Sequence, residues 1–247
     1  MRVLVTRPQA QAAATARRLR ELGHEAMLAP VLEIVPTGEP APEGTFDALL
    51  LTSANAVPAA ATERVRFGSA PVLAVGSRTA AAARESGYGM VTQAGGDSPA
   101  LVTLVRQMVP AGARLLHAAG QDRKAEPARS LAAAGYSVEI WECYRAAPVP
   151  ALPQETLQAL ASGQVGTVLH FSRRSAEVFA GLVRLAALGE ALAGTSHLCL
   201  SSDVAHGLGD LTGLKVRIAR EPDEASLLAL IVETTAAPGS RLPQSRC

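Results

Sequence analysis

The sequence predicts an α/β protein of two similar lobes, one inserted into the other, each a five-stranded parallel sheet with helices on both faces. Three observations predict it. Strand-like and helix-like patterns alternate along the chain, their order repeats once, and two proline-rich breaks fall away from the repeat boundary. Alternation of this kind builds parallel sheets, because each parallel crossover needs a connecting helix. At 247 residues the chain is long enough for two domains of ordinary size.

The chain carries an internal repeat. Residues 2–36 align without a gap on residues 114–148, with Arg2/Arg114, Leu4/Leu116, Ala16/Ala128, Leu19/Leu131, Gly23/Gly135 and Pro36/Pro148 coinciding. Each copy reads as a strand, a loop, an amphipathic helix stopped by Gly, and a second strand. A second unit recurs as FDALLLTSANAV (46–57) and TVLHFSRRSAEV (167–178), a buried strand ending in a hydroxyl residue and leading into a helix. A third recurs at 71–93 and 196–220, two strands around a helix, each followed by an aliphatic helix.

Punctuation decides how the units share lobes. Prolines crowd residues 35–44 and 146–154, whereas the boundary between the two repeats holds only the tight turn PAGA (110–113). Proline stiffens linkers and cannot donate within a sheet. Cutting at the proline breaks gives a discontinuous lobe of residues 1–36 with 151–247. The inserted lobe is 42–146, and the connectors are 37–41 and 147–150.

Composition excludes several classes. Aromatic residues make up 3% of the chain, too few for the stacking platforms of single-stranded nucleic-acid binders. A net charge of +1 offers no field for DNA or an anionic membrane, so an anionic ligand must be held by local groups. Cys143, Cys199 and Cys247 lack metal-ligand spacing and read as free thiols of a reducing compartment. The opening MRVLVTRP is too short an apolar run for a signal peptide, and no stretch is long enough to span a bilayer. A cytoplasmic protein is expected, with a polar, disordered tail after Pro238. No dinucleotide fingerprint, phosphate loop or nucleophile elbow occurs, and the five histidines are scattered without ligand spacing.

In open parallel sheets, ligands bind beyond the carboxyl ends of the strands, where helix N-termini present unpaired N–H groups. The residues to inspect there are Arg7, Ser53, Asn55, Ser77, Thr79, Arg123, Ser172, Ser175 and Ser201. The set is rich in hydroxyls and Arg and nearly free of acids and bases, a chemistry suited to holding carboxylates. Helix capping explains Ser53, Thr79 or Ser172 equally well when each is taken alone. Arg7 is equally readable as a solvated surface residue, and Pro8 as a first-turn proline. Trp141 and Tyr144, three apart, should face opposite sides of a regular strand, with Trp141 in the core. Tyr144 then either anchors the connector or turns its hydroxyl toward a cleft between the lobes.

At these residues the chain resembles the uroporphyrinogen-III synthase family. VLVTRP, FDALLLTSANAV, LAVGSRTA, Tyr144-Arg145 and VLHFSRRSAEVF carry the resemblance in order and spacing, nearly end to end. It implies two flavodoxin-like lobes and conversion of hydroxymethylbilane to uroporphyrinogen III, with loss of water, inversion of ring D and no cofactor. It places Arg7, Ser53, Thr79, Tyr144 and Ser172 in the cleft, with Tyr144 as the catalytic candidate. Two departures stand out. Ser201-Ser202-Asp203-Val204-Ala205 replaces the family's frequent Gly-x-Thr-Thr-Ala, and Asn55 stands where Arg is frequent. The expected partner is the linear tetrapyrrole, with no nucleic acid or membrane and a monomeric chain. The alternative is a two-lobed small-acid binding or regulatory protein that performs no chemistry.

Overall fold

The computed structural model describes residues 1–67, 69–209, 211 and 213–235. The expected disordered tail after Pro238, and Cys247 with it, lie outside the described residues. The chain divides into two compact units, Met1–Glu33 with Pro148–Cys247, and Ile34–Ala147.

In chain order the elements begin with β1 (Arg2–Val5), α1 (Gln9–Glu21), β2 (Glu25–Leu28) and β3 (Leu32–Pro36). Next come β4 (Ala48–Leu51), a 3₁₀ turn (Ala54–Ala56), α2 (Val57–Thr62), α3 (Arg64–Phe67), β5 (Val72–Ala74), α4 (Ser77–Glu85), β6 (Val91–Gln93) and α5 (Ser98–Met108). The second copy opens with β7 (Arg114–Gly120), α6 (Ala128–Ala133) and β8 (Ser137–Pro148). The chain then forms α7 (Gln154–Ala161), β9 (Thr167–His170), α8 (Arg173–Leu185), β10 (Ser196–Cys199), α9 (Ser202–His206), β11 (Lys215–Ile218) and α10 (Glu224–Thr235).

The first unit holds a five-stranded sheet ordered β11-β10-β9-β1-β2, parallel at every pair. In the second the order is β3-β8-β7-β4-β5-β6, and the five strands from β8 to β6 are parallel. Corresponding units of the repeat take corresponding places: β2 and β8 lie on one side of β1 and β7, and β9-β10-β11 and β4-β5-β6 lie on the other. The order in which strands are added across the sheet therefore reverses beside β1 and beside β7, which puts a topological switch point at β1/β9 and another at β7/β4.

The expectation of five strands in each lobe is corrected to five and six. The extra strand is β3, expected to belong with residues 1–36. In the second copy, residues 137–148 run as one strand, but in the first copy Pro30 interrupts the pattern. Proline cannot donate a ladder bond. The strand therefore stops at Leu28, and β3 joins the sheet of the other unit beside β8.

The repeated Gly signals act as read. Gly23 and Gly135 follow α1 and α6 with φ of 78° and 88°, the left-handed backbone that ends a helix and suits Gly. Both faces of each sheet are covered. In the second unit Leu49, Leu51, Leu116 and Trp141 pack on one side, and Leu50, Leu73, Leu115 and Leu131 on the other. In the first, Val3, Val5, Leu169 and Leu198 pack under Leu19, Leu227 and Ile231 of α1 and α10.

The opposite face of the first unit's sheet contains a histidine pair. His170 Nε2 lies 3.1 Å from His197 Nδ1, the rings stack, and Phe179 meets His170 edge-on. Burial holds both rings neutral: it pushes His170 well below its ordinary value and His197 down to about 4. Cys143 and Cys199 are free, buried thiols pushed by desolvation to about 11 and about 12, which keeps them protonated.

Candidate functional site

The parallel strands bring the loops after β1, β9 and β10 to one end of their sheet. The loops after β4, β5 and β7 likewise gather at one end of theirs. At the β1/β9 switch point, Thr6 Oγ1 donates to the Leu169 carbonyl at 2.8 Å and ties the two strand ends together. Arg7 follows. Its guanidinium lies 4.1 Å from the centre of the Phe171 ring, donates to Thr15 Oγ1 and Gln11 Oε1 at 3.2 Å, and ion-pairs with Glu224 at 3.6 Å. Burial lowers its pKa, opposed by Glu224 and reinforced by Arg18.

Ser172 caps α8: its Oγ accepts from the Ser175 amide at 3.2 Å and donates to Ser175 Oγ at 2.9 Å. Ser175 is buried behind it. Ser201 caps α9 through the Val204 amide at 3.4 Å. Arg173 and Asp203, one on each of these two helices, pair at 3.1 Å. Arg7, Ser172, Ser175 and Ser201 thus share one end of the first sheet.

In the second unit, Ser53 Oγ accepts from the Asn55 amide at 3.2 Å and caps the 3₁₀ turn. Beside it, across the β4/β7 switch point, Thr52 Oγ1 and His117 Nε2 are 2.9 Å apart. Desolvation, aided by Arg123, takes the buried His117 down to about 4, so its ring is neutral. The cap of α4 is Gly76 and not Thr79. Ser77 is exposed in the first turn, whereas Thr79 is buried within the helix.

Tyr144 departs from its expected geometry. The β7–β8 register jumps between Ala119, opposite Glu142, and Gly120, opposite Tyr144. This β-bulge re-aims the strand, as bulges do. Trp141, Cys143 and Tyr144 consequently all pack against one core cluster, and the opposite-face expectation for Trp141 and Tyr144 is corrected. Trp141 is buried, its Nε1 donating to the Glu39 carbonyl at 2.9 Å.

The Tyr144 ring lies flush on Gly120, where an added Cβ would sit 2.7 Å from Cζ and 3.0 Å from the hydroxyl. Among the described residues, that hydroxyl has no hydrogen-bond partner. Around it, Arg123 pairs with Glu142 at 2.5 Å, and Thr37 Oγ1 donates to the Glu142 carbonyl at 2.5 Å. In the same unit a groove of about 570 Å³ is lined by Glu39, Gln121, Trp141, Glu142 and Arg145 among others, Tyr144 not being among its lining residues.

The second sheet's end therefore gathers Ser53, Asn55, Ser77, Thr79, Arg123 and Tyr144. Sequence reasoning missed Glu142 and Glu224, which hold Arg123 and Arg7. No motif marks them, and their partners lie far away in sequence. Among the described residues, no group of three His, Cys, Asp or Glu side chains is placed to hold a metal ion, and no helix is long and apolar enough to cross a membrane.

A family model described as uroporphyrinogen-III synthase HemD matches residues 13–229. No curated protein sequence matches. Among solved structures, uroporphyrinogen-III synthetase from Helicobacter pylori is similar at a TM-score of 0.61 and 16% identity, covering 95% of this chain and 100% of that one. A mutant uroporphyrinogen III synthase from Thermus thermophilus gives a TM-score of 0.47 at 22% identity, covering 95% and 98%.

Proposed function

The chain belongs to the uroporphyrinogen-III synthase family, and on that premise we propose that it cyclises hydroxymethylbilane to uroporphyrinogen III, losing water and inverting ring D, as a cofactor-independent lyase. The single observation that carries the reading is the family match over residues 13–229. The strand-end chemistry supports it. The substrate carries eight carboxylates on a flexible chain, and its hydroxymethyl group leaves readily. Such a reaction asks for orientation more than for acid–base power. Holding a reactant in attack geometry contributes on the order of 7–11 kcal/mol to lowering a barrier.

In this reading the first-turn amides beside Ser53, Gly76, Ser172 and Ser201 donate to acetate and propionate groups, helped by the positive ends of their helices. Arg7 and Arg123 supply bidentate cations, and Asn55, Ser77, Thr79 and Ser175 shape the surroundings. Tyr144 protonates the departing hydroxyl through a phenol that has no hydrogen-bond partner among the described residues. The substituted carbon of ring D then attacks first, and the spiro intermediate fragments and recloses inverted. The chain acts as a cytoplasmic monomer, and its lobes divide beside the two proline-rich breaks, after Glu33 and after Ala147.

Isomer analysis tests the activity. Given hydroxymethylbilane, the protein is expected to yield predominantly the type III isomer. Obtaining only the type I isomer, the product of unassisted closure, contradicts the reading.

A further inference from the structure

We propose that Glu224, at the first turn of α10, is a positioning residue that holds Arg7 in the orientation that receives a substrate carboxylate. The inference rests on the functional reading above and adds a residue that no motif marks.

Glu224 is placed where three elements meet. Its Oε1 accepts from Thr15 Oγ1 of α1 at 2.5 Å and lies 3.6 Å from Arg7 Nη1 in the loop after β1. Its Oε2 pairs with Arg18 of α1. The Glu224 and Arg7 side chains are only 19% and 21% exposed, so this pair is largely withdrawn from water. The groups facing Arg7 are Gln11, Thr15 and Arg18 from α1, Glu224 from α10, and the Phe171 ring from the loop after β9. Its Nε is buried without a partner.

Burial disfavours a guanidinium that lacks its counter-charge, and truncating one member of a desolvated pair leaves the other uncompensated. With the carboxylate gone, Arg7 keeps two neutral acceptors and the repulsion of Arg18. Its favourable course is then to swing into water, away from Phe171 and the Ser172 cap. Glu224 is too enclosed to meet the substrate directly through its bonded oxygens, so it acts through Arg7. The peptide scaffold around it is independently secured: Asp223 Oδ1 accepts from the Ser226 amide at 2.7 Å and Ser226 Oγ from the Glu221 amide at 3.1 Å. The start of α10 therefore survives loss of the Glu224 charge.

The test is a cycle of Glu224→Gln and Arg7→Ala, read as KM and kcat for hydroxymethylbilane with type III product measured. Glu224→Gln is expected to raise KM about fivefold when Arg7 is present, since Arg7 keeps its neutral acceptors, and less than about twofold in the Arg7→Ala background. Glu224→Asp, which keeps the charge, is expected to recover part of the loss. An unchanged KM overturns the proposal. So does an equal rise in both backgrounds, which would mark Glu224 as a support of the fold and not of Arg7. A wild-type chain that yields only the type I isomer removes the functional reading itself, and this inference with it.

Discussion

Tyr144→Phe is expected to lower kcat about 100-fold, the low end of what a positioned general acid contributes, while KM changes little. Phe keeps the ring that packs against the Trp141 and Cys143 cluster and removes only the phenolic oxygen. Because that hydroxyl has no partner among the described residues, its loss leaves no buried group unsatisfied and the fold is expected to be unaffected. Gly120→Ala approaches the same atom from the other side. Its Cβ would fall 2.7 Å from Tyr144 Cζ, and the tip of the ring must move to make room. Backbone geometry at Gly120 is not the obstacle, since it is not among the glycines of positive φ. Gly120→Ala should therefore also lose kcat, with the tyrosine still present. Steady-state rates on hydroxymethylbilane check both substitutions. Full activity in Tyr144→Phe would reduce Tyr144 to an anchor of the strand it occupies.

Gly207→Ala is expected to destabilise the protein by about 2–3 kcal/mol, the scale of overpacking against atoms that cannot yield. Gly207 ends α9 with φ of −64°, a conformation open to any residue, so space and not dihedral freedom demands Gly. An added Cβ would lie 2.5 Å from the Arg173 carbonyl at the start of α8 and 3.1 Å from the Val204 carbonyl. Relief requires α9 to shift against α8, which disturbs the Ser172 and Ser201 caps together and should raise KM as well. Gly181→Ala is the contrast. Gly181 lies inside α8 with nothing within 4 Å of an added Cβ. Ala is the better helix former by about 1 kcal/mol, so that change should stabilise. Urea unfolding of the two variants beside the parent chain measures both. Equal midpoints for Gly207→Ala and the parent would contradict the close approach of the two helices.

Much of this architecture was legible because it rests on local rules. Apolar runs ending in Ser or Gly marked β4, β5, β9 and β10, and Gly23 and Gly135 marked the ends of α1 and α6. The duplicated order of elements told which strands occupy equivalent places in the two sheets. What escaped depended on single residues whose effect is not local. Pro30 cuts one pattern into two strands and sends β3 to the other sheet, and the bulge beside Gly120 turns Tyr144 onto the face of Trp141. The strand-end positions of the candidate residues followed from parallel topology. Their present partners did not, because Glu224 reaches Arg7 from the other end of the chain and Glu142 meets Arg123 across a loop.

The central claim is that carboxylates of a tetrapyrrole are held by amides and hydroxyls at the carboxyl ends of the strands. Hydrogen exchange with and without uroporphyrinogen III tests it most directly. Protection is expected at the amides of residues 6–7, 53–54, 76–78, 172–174 and 201–203, while the helix ends remote from these loops exchange as before. Protection absent from these amides, or concentrated at the opposite ends of the sheets, would contradict it.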